Sequence, residues 1–548
     1  MMMPSVRPAS PPASVPEPAA QSGSRQRLGH LLSVAAIPVL VALLYRKTLF
    51  GPFVFDDRAS VSQNLSLFFG TWRNQVFSNR PLLNLSYAFT FHVSGLKPWA
   101  HHLANIALHA LNGLLVYAWV RLTLELPRFR DRYPNAPWLA LAVALLFSVH
   151  PLQTEVAAYV SGRGDALEGS FMLAAMIALT LALRWDALPR WRAAARAGAA
   201  VGALCALLSK ESGAVGPLLL FLFDWAASGR SPARLLRRHW LLYGVLAASW
   251  IVPAWMLWTF PEYAETAGLS FGQAQYGIRP LSYLYTQPGV ILHYLRLSVL
   301  PVGQVFDYEW PLSSTLLEPG VLLPGLALLG LLVGALTTWR RAPSYAFAVL
   351  WFFLTLAPTS SILPIADVIA ERRMYLPLVG VLLVIALAFT DGTRALIARG
   401  RLSSRQVRTT AAGLTACAAV ACSILTWQRN LLWCDPVALW ADSVSKSPGN
   451  PRAMANLGAQ HAIRGQFALG RLELEQAAQL YAAGGPHAFP RIAAHIYTHL
   501  ASVDLQLGDV GRARDAYRAA LAYGAEGYDY LQPRLKRVGR ALERLDRR

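Results

Sequence analysis

A chain of 548 residues that is 55% hydrophobic and only 15% charged falls well below the roughly 25% charged share of soluble domains, which points to a membrane protein. The net charge is +20, but the basic residues are mostly arginines in short clusters between apolar runs. That is the pattern of membrane orientation signals; no recognition motif accompanies the charge, which argues against a nucleic-acid partner.

Residues 1–28, rich in Pro, Ala and Ser, cannot build a core and are expected to form a disordered cytoplasmic tail. The run "LGHLLSVAAIPVLVALLY" after Arg25 and Arg27 starts like a signal peptide. No small-residue cleavage site follows and many more apolar runs do, so it reads as a retained first helix. Further runs lie at about 103–120, 137–149, 166–183, 194–208, 212–227, 240–258, 317–338, 343–359, 374–390 and 409–426, giving about 11 spans within 29–427.

With the N-terminus inside, every inner loop is basic, as short cytoplasmic loops should be. Those loops carry Arg121/Arg128/Arg130/Arg132, Arg184/Arg190/Arg192/Arg196, Arg230/Arg234/Arg237/Arg238, Arg340/Arg341 and Arg394/Arg399/Arg401/Arg405/Arg408. The parity requires that "PGVILHYLRLSVLP", 288–301, does not span; His293 and Arg296 suit a surface-lying or re-entrant helix. Arg46 and Lys47 fall on the outer side, against the rule. Cys205, Cys417 and Cys422 lie inside apolar runs and Cys434 is isolated, so neither a disulfide framework nor a zinc spacing is present.

This topology gathers the unusual polar residues on the outer face, where ionisable groups at membrane depth are kept mainly for binding, transport or catalysis. Asp56 and Asp57 follow the first helix directly; repulsion and partial desolvation should raise one pKa and improve it as a base. The plain alternative is a solvated turn whose acids cap the next helix. Arg80, Arg163, Lys210 and Arg372 suit a phosphodiester, the alternative being ion pairs such as Arg163 with Asp165 or Arg372 with Glu371. His102, Asn105 and His109 share one helix face. His109 reads as helix packing, whereas His102 and Glu155 stay open between packing and site. A divalent metal is also compatible with the His and Glu spacing. Trp185 and Trp191 fit interfacial aromatic belts.

Residues 428–548 are polar, helical and repetitive. Trp440, Pro448, Leu457, Gly458, Gly465 and Ala477 fall where a tetratricopeptide repeat places its packing residues, and Leu500, Gly508, Ala513, Tyr517 and Ala520 follow the same template. The offset exceeds the usual period, which implies an insertion around "AAGGPHAFP". A generic pair of helical hairpins is the simpler alternative. Such solenoids present a concave surface to peptides.

The motifs "FVFDDRASVSQN", "NRPLLNLSYAF", "GLKPWAHHLANIALHALNGLLVY", "FSVHPLQTEVAAYVSGRGDAL", "LSKESGAV", "LAPTSSILPIADVIAERRMYLP" and "RNLLWCDPVALW" together resemble the transmembrane-and-tetratricopeptide O-mannosyltransferases and their bacterial relatives. These are GT-C glycosyltransferases that use polyprenyl-phosphate sugars. The resemblance implies an all-α polytopic membrane enzyme of GT-C type over 29–427, with an extracytoplasmic α-solenoid of tetratricopeptide repeats over 428–548. It implies transfer of one sugar, such as mannose, to a Ser or Thr hydroxyl of an exported protein docked by the repeats. The alternative acceptor is a lipid or lipopolysaccharide.

A glycosyl phosphate carries a good leaving group, so a base for the acceptor hydroxyl and cations for the departing phosphate are what the reaction needs. The resemblance makes Asp56 the base, with Asp57 positioning the acceptor or an ion; Arg80, Arg163, Lys210 and Arg372, on the outer face, are the candidate phosphate holders. His102, Glu155, Asp165, Glu211, Glu371 and Tyr375 would line the donor or acceptor pocket. The chemistry calls for no cofactor, a divalent metal being the alternative, and membrane lipids are the surroundings. Sequons at Asn64 and Asn84 lie where a glycan would obstruct the site, which favours a bacterial inner membrane with the site facing the periplasm.

Overall fold

A computed structural model describes residues 19–185, 187–259, 278–484, 489–528 and 530–547. The expected tail up to residue 18, much of the outer loop after Thr259 and part of "AAGGPHAFP" lie outside the described residues. Every regular element among the described residues is a helix, and proline sets many of the starts. Pro81, Pro98, Pro189, Pro280, Pro319, Pro343, Pro377, Pro436, Pro451 and Pro490 each open a helix. In the first turn the missing N–H costs nothing and φ is already helical.

Among the described residues six helices are long and apolar enough to cross a membrane: Pro98–Leu124, Val160–Arg184, Pro189–Ser209, Pro319–Thr338, Pro377–Ala398 and Ser404–Trp433. Two bent pairs raise the count to eight, Ala136–Val149 with Pro151–Ala157 (54°) and Glu211–Ser228 with Pro232–Arg238 (110°). The first bend follows from His150-Pro151, where proline cannot continue the ladder and the imidazole accepts from the Leu152 amide instead. The shorter apolar helices His30–Tyr45, Trp240–Trp255 and Pro343–Leu356 coincide with the remaining apolar runs of the sequence. Pro280–Val299 is not among the candidate spans.

Helix packing is tight where side chains are small. A Cβ on Gly113 would meet Ser148 Oγ at 2.2 Å, and one on Gly169 would meet the Tyr375 ring at 2.9 Å. Trp119 stacks on Trp351 at 4.7 Å, joining two spans that are distant in sequence.

At one end of the bundle the arginine-rich loops are tied together. Arg132 pairs with Asp391, Arg184 with Glu125, and Arg394 donates to the Arg132 carbonyl. The polar motifs Asp56, Arg80, Glu155, Lys210 and Arg372 lie at helix ends of the other side of these elements. Arg46 and Lys47 each lie over the Trp427 ring at 5.3 Å, a contact that accounts for two cations off the basic end.

Among the described residues six α-helices follow: Pro436–Lys446, Pro451–Ile463, Phe467–Ala482, Pro490–Gln506, Val510–Ala522 and Gln532–Asp546. Asp435, Asn450 and Asp509 side chains cap three of them. Pro451–Ile463 meets Phe467–Ala482 at paired glycines: a Cβ on Gly458 would sit 2.9 Å from the Gly470 carbonyl, and one on Gly470 2.8 Å from that of Gly458. This section packs directly on the membrane-type bundle. Trp440 meets Phe306 at 5.2 Å and Phe55 at 5.5 Å, and Trp433 stacks on Tyr159 at 5.4 Å.

Candidate active site

The two acids have different environments. Asp57 is fully buried; Oδ1 accepts from the Ser161 amide at 2.7 Å and hydroxyl at 2.8 Å, and Oδ2 from the Val54 amide at 3.1 Å. Burial pushes its pKa up to about 7, against the pull of those hydrogen bonds. With both oxygens engaged, Asp57 fastens the turn to the 160–162 segment. It accepts no bond from the helix that follows.

Asp56 instead is exposed. Its amide donates to the Tyr159 hydroxyl at 3.0 Å. Although open to solvent, the carboxyl is ringed by protein, and this desolvation raises its pKa while the Arg372 charge opposes the rise. Phe55, just before it, has φ of 46°. A bulky residue held in the left-handed region marks stored strain of the kind found at functional turns. Its ring is gripped by Trp440, Phe306 and the Arg452 guanidinium, 5.7 Å above it.

A chain of charges runs beside this turn. Glu155 accepts from the Arg372 guanidinium at 2.7 Å and from its amide at 3.0 Å. Arg372 reaches Asp367 at 3.2 Å, and Asp367 accepts from Arg452 at 2.8 Å. Arg452 also forks onto Asp307 at 2.8 and 2.5 Å. Burial would raise Asp367, but Arg452 and Arg372 hold its carboxyl well below the usual range. Arg372 thus pairs with Glu155 and Asp367, not with its neighbour Glu371. The buried Glu371 accepts from Gln304, the Val305 amide and Tyr308 instead.

A second polar pocket adjoins Arg372, whose charge also feels Asp165. Lys210 donates to Asp165 at 2.5 Å, and Ser212 donates to Glu168 at 2.6 Å. With Thr355, Thr359, Arg373 and Tyr375 they line one concavity. Arg80 pairs with Glu211 at 2.8 Å, and is the most exposed of the four expected phosphate holders.

Arg163 is placed differently. It is completely buried, donating to Asn105 Oδ1, the Thr90 hydroxyl and the carbonyls of Ser86 and His101, beneath Tyr87 at 4.6 Å. It makes no pair with Asp165, and its guanidinium tethers three segments. Replacing Arg163 by Leu strands those buried acceptors and is expected to cost about 3 kcal/mol, at about 1–3 kcal/mol for an orphaned group. Thermal unfolding should register the loss; weakened donor binding at unchanged stability would contradict the tether.

His102 and Tyr375 are likewise buried. His102 Nε2 meets the Gly51 carbonyl at 3.2 Å, while Tyr375 OH joins His109 and Asn112 at 3.0 Å each. Among the described residues no cluster of three or more His, Cys, Asp or Glu could hold a metal ion. Asp307, Asp367, Arg452, Glu168 and Tyr159 were not anticipated. Glu168 carried a signal, one turn beyond Asp165 on an apolar helix; Arg452, in a polar stretch, carried none.

The described residues thus form an all-helical bundle with an exposed carboxylate, a chain of arginine–carboxylate pairs beside it and a polar concavity. No protein-family model matches the chain. Its curated relatives are protein O-mannosyl-transferases. One from Drosophila melanogaster is 31% identical over 231 residues, 38% of this chain and 23% of the relative. A second from the same organism is 25% identical over 546 aligned residues, covering 86% of this chain and 57% of the relative. One from Caenorhabditis elegans is 23% identical, with 80% and 61% covered. The aligned chain therefore spans less than two thirds of these relatives. Among solved structures, the apo oligosaccharyltransferase of Archaeoglobus fulgidus aligns over 73% of this chain and 56% of its own, with 16% identity and a TM-score of 0.40.

Proposed function

We propose that the chain is an integral-membrane glycosyltransferase that moves one sugar, mannose in the first instance, from a polyprenyl phosphate to a Ser or Thr hydroxyl of a protein. The observation that carries this reading is the open, raised Asp56 carboxyl set beside Arg372, in a chain whose curated relatives are protein O-mannosyl-transferases.

Asp56 takes the proton of the acceptor hydroxyl as its oxygen attacks the anomeric carbon. The carbon–oxygen bond to phosphate breaks, and the electron pair leaves with the phosphate. Arg372, Lys210 and Arg80 stabilise the charge that collects there, the term that dominates when the leaving group is already good. All three are held in place by carboxylates in this structure. Asp165, Glu168, Ser212 and Thr355 offer acceptors and donors to sugar hydroxyls. Asp57 holds the turn. The reading places eleven spans, the cleft on the periplasmic side of a bacterial inner membrane, and the last six helices as tetratricopeptide repeats that receive the acceptor.

Incubating the purified chain with a labelled polyprenyl-phosphate sugar, a Ser-containing peptide and lipid acceptors tests the assignment. Label on the peptide supports it; label only in lipid favours a glycolipid acceptor, and no transfer to either removes the enzyme reading.

The rate is expected to rise with pH through a value above the ordinary carboxylate range of about 4, because Asp56 works only when ionised and desolvation favours its protonated form. Stability follows the opposite slope. Folded Asp57 keeps its proton up to about 7, while the unfolded chain releases it near the ordinary value. The folded state therefore binds more protons in that window, and this contribution is lost as pH rises through it. Thermal melts across that window check the slope, and a pH-independent turnover would contradict the role of Asp56.

A further inference from the structure

Buried guanidinium groups elsewhere in the chain have acceptors. Arg163 has Asn105 and three other oxygens, Arg429 has Asp442, and Arg452 has Asp307 and Asp367. One cluster breaks the rule. Arg534, half-buried on Gln532–Asp546, contacts the His499 ring and no carboxylate. His499 is 7% exposed and packs tilted against His495 at 4.4 Å, with Tyr530 closing the group at 6.1 Å from His495. His495 Nε2 is buried with no partner.

The charges of two more arginines act on this cluster. Arg58, one residue beyond Asp57, places its charge near His495, His499 and Arg534, and Arg491 acts on His495 and also on Asp56. Among the described residues neither Arg58, Arg491 nor Arg534 forms an ion pair. Burial and the Arg58 charge push Arg534 down to about 10, the direction expected of a cation without its anion. Desolvating like charges together is costly unless an anion joins them.

We propose that Arg58, Arg491 and Arg534, with the His495/His499 pair, form a carboxylate-binding site for an acidic residue next to the hydroxyl of the acceptor polypeptide. The inference rests on the acceptor being a polypeptide. Two features favour a carboxylate of the acceptor over the donor phosphate. Arg491 and Arg534 belong to the C-terminal helices rather than to the spans between which a lipid carrier lies, and the cations proposed for the phosphate lie in the bundle. Arg58 stands two residues beyond Asp56 in the same turn, and the Arg491 charge acts on Asp56, so the anion is proposed to bind near the reacting hydroxyl. At about 3.3 Å of extended chain per residue, that means within a few positions of it. Guanidinium forks suit a carboxylate.

The test is binding of fluorescent peptides to the full chain in detergent, without donor. The central Ser is flanked by Asp, by Asn or by Lys. The Asp-flanked peptide is expected to bind about ten-fold tighter than the Asn-flanked one at low salt, and the difference to shrink as salt rises. Arg534→Gln and Arg491→Gln should each reduce the preference to about two-fold or less, while Arg534→Lys retains part of it. The exposed Arg491 serves if Arg534→Gln fails to fold. Equal binding of the Asp and Asn peptides, or a preference untouched by both substitutions, overturns the site. So does weakened binding of a polyprenyl-phosphate sugar in the same variants, which would place the donor phosphate there. Sugar transfer to the Asn-flanked peptide is scored separately. Transfer with no acid preference sinks this inference and keeps the transferase reading, whereas acid preference with no transfer to any peptide supports the site and sinks that reading.

Discussion

Asp56→Asn is expected to lower sugar transfer by about 10²–10⁴-fold, the usual contribution of a positioned base. Donor binding should remain close to that of the parent chain. The substitution keeps the size of the side chain and leaves the Asp56 amide bond to Tyr159 in place. It also leaves Asp57 holding the turn through Ser161 and Val54. Asp57→Asn acts by another route, because an amide cannot accept from all three donors without turning its NH2 toward one of them. That variant should lose stability as well as rate. Turnover and donor affinity measured together separate the two acids: normal transfer by Asp56→Asn removes it as the base, and loss of donor binding in that variant would make its role electrostatic.

Arg452→Met is expected to lower transfer by about 10²-fold although Arg452 reaches no reacting atom, since misplacement of a reacting group by about 1 Å has that effect. The substitution leaves Asp307 and Asp367 without their shared cation, and breaking a buried pair costs about 3–5 kcal/mol. Asp307 and Arg452 side chains are 4% and 9% exposed, so little screening softens that figure. The loss is transmitted in two ways. Asp367 loses the guanidinium that fixes it from the far side and is left to Arg372 alone, so the Asp367 carboxylate and the Arg372 guanidinium it holds are free to shift together, and the Phe55 ring loses the cation above it. Hydrogen exchange should rise in Pro436–Lys446 and Pro451–Ile463. Adding Asp307→Leu should restore much of that protection, because an apolar pair can replace a buried ion pair. Transfer should stay low, since Asp367 still lacks Arg452. Full transfer by Arg452→Met would reduce the C-terminal helices to a docking module.

The pieces legible in the sequence are those that interrupt an apolar run. Asp56/Asp57 after the first run, Lys210-Glu211 between two runs and Arg372 in "AERRMY" each stand out because a charge at the end of a span needs a reason. Their pairing was not legible. Arg372 could be assigned to Glu371 by adjacency, but the 3₁₀ turn Glu371–Met374 turns successive side chains apart and sends Arg372 to Glu155, 217 residues away. Arg163 illustrates the converse. Its position in "SGRGD" at the head of an apolar helix suggested an exposed cation, and only the packing of Pro81–Ser94 and Pro98–Leu124 around it encloses the group. Asp307, Asp367 and Arg452 lie in three separate segments. In a polar helix an arginine reads as a solvated face, and nothing local distinguishes the one that turns inward.

The structure of the chain with a polyprenyl-phosphate sugar bound tests the whole account. The phosphate is predicted to lie about 3 Å from Arg372 or Lys210, with the anomeric carbon turned toward the Asp56 carboxylate and the sugar beside Asp165 and Glu168. A phosphate lodged instead at the arginine-rich end, among Arg121, Arg132 and Arg184, would contradict it.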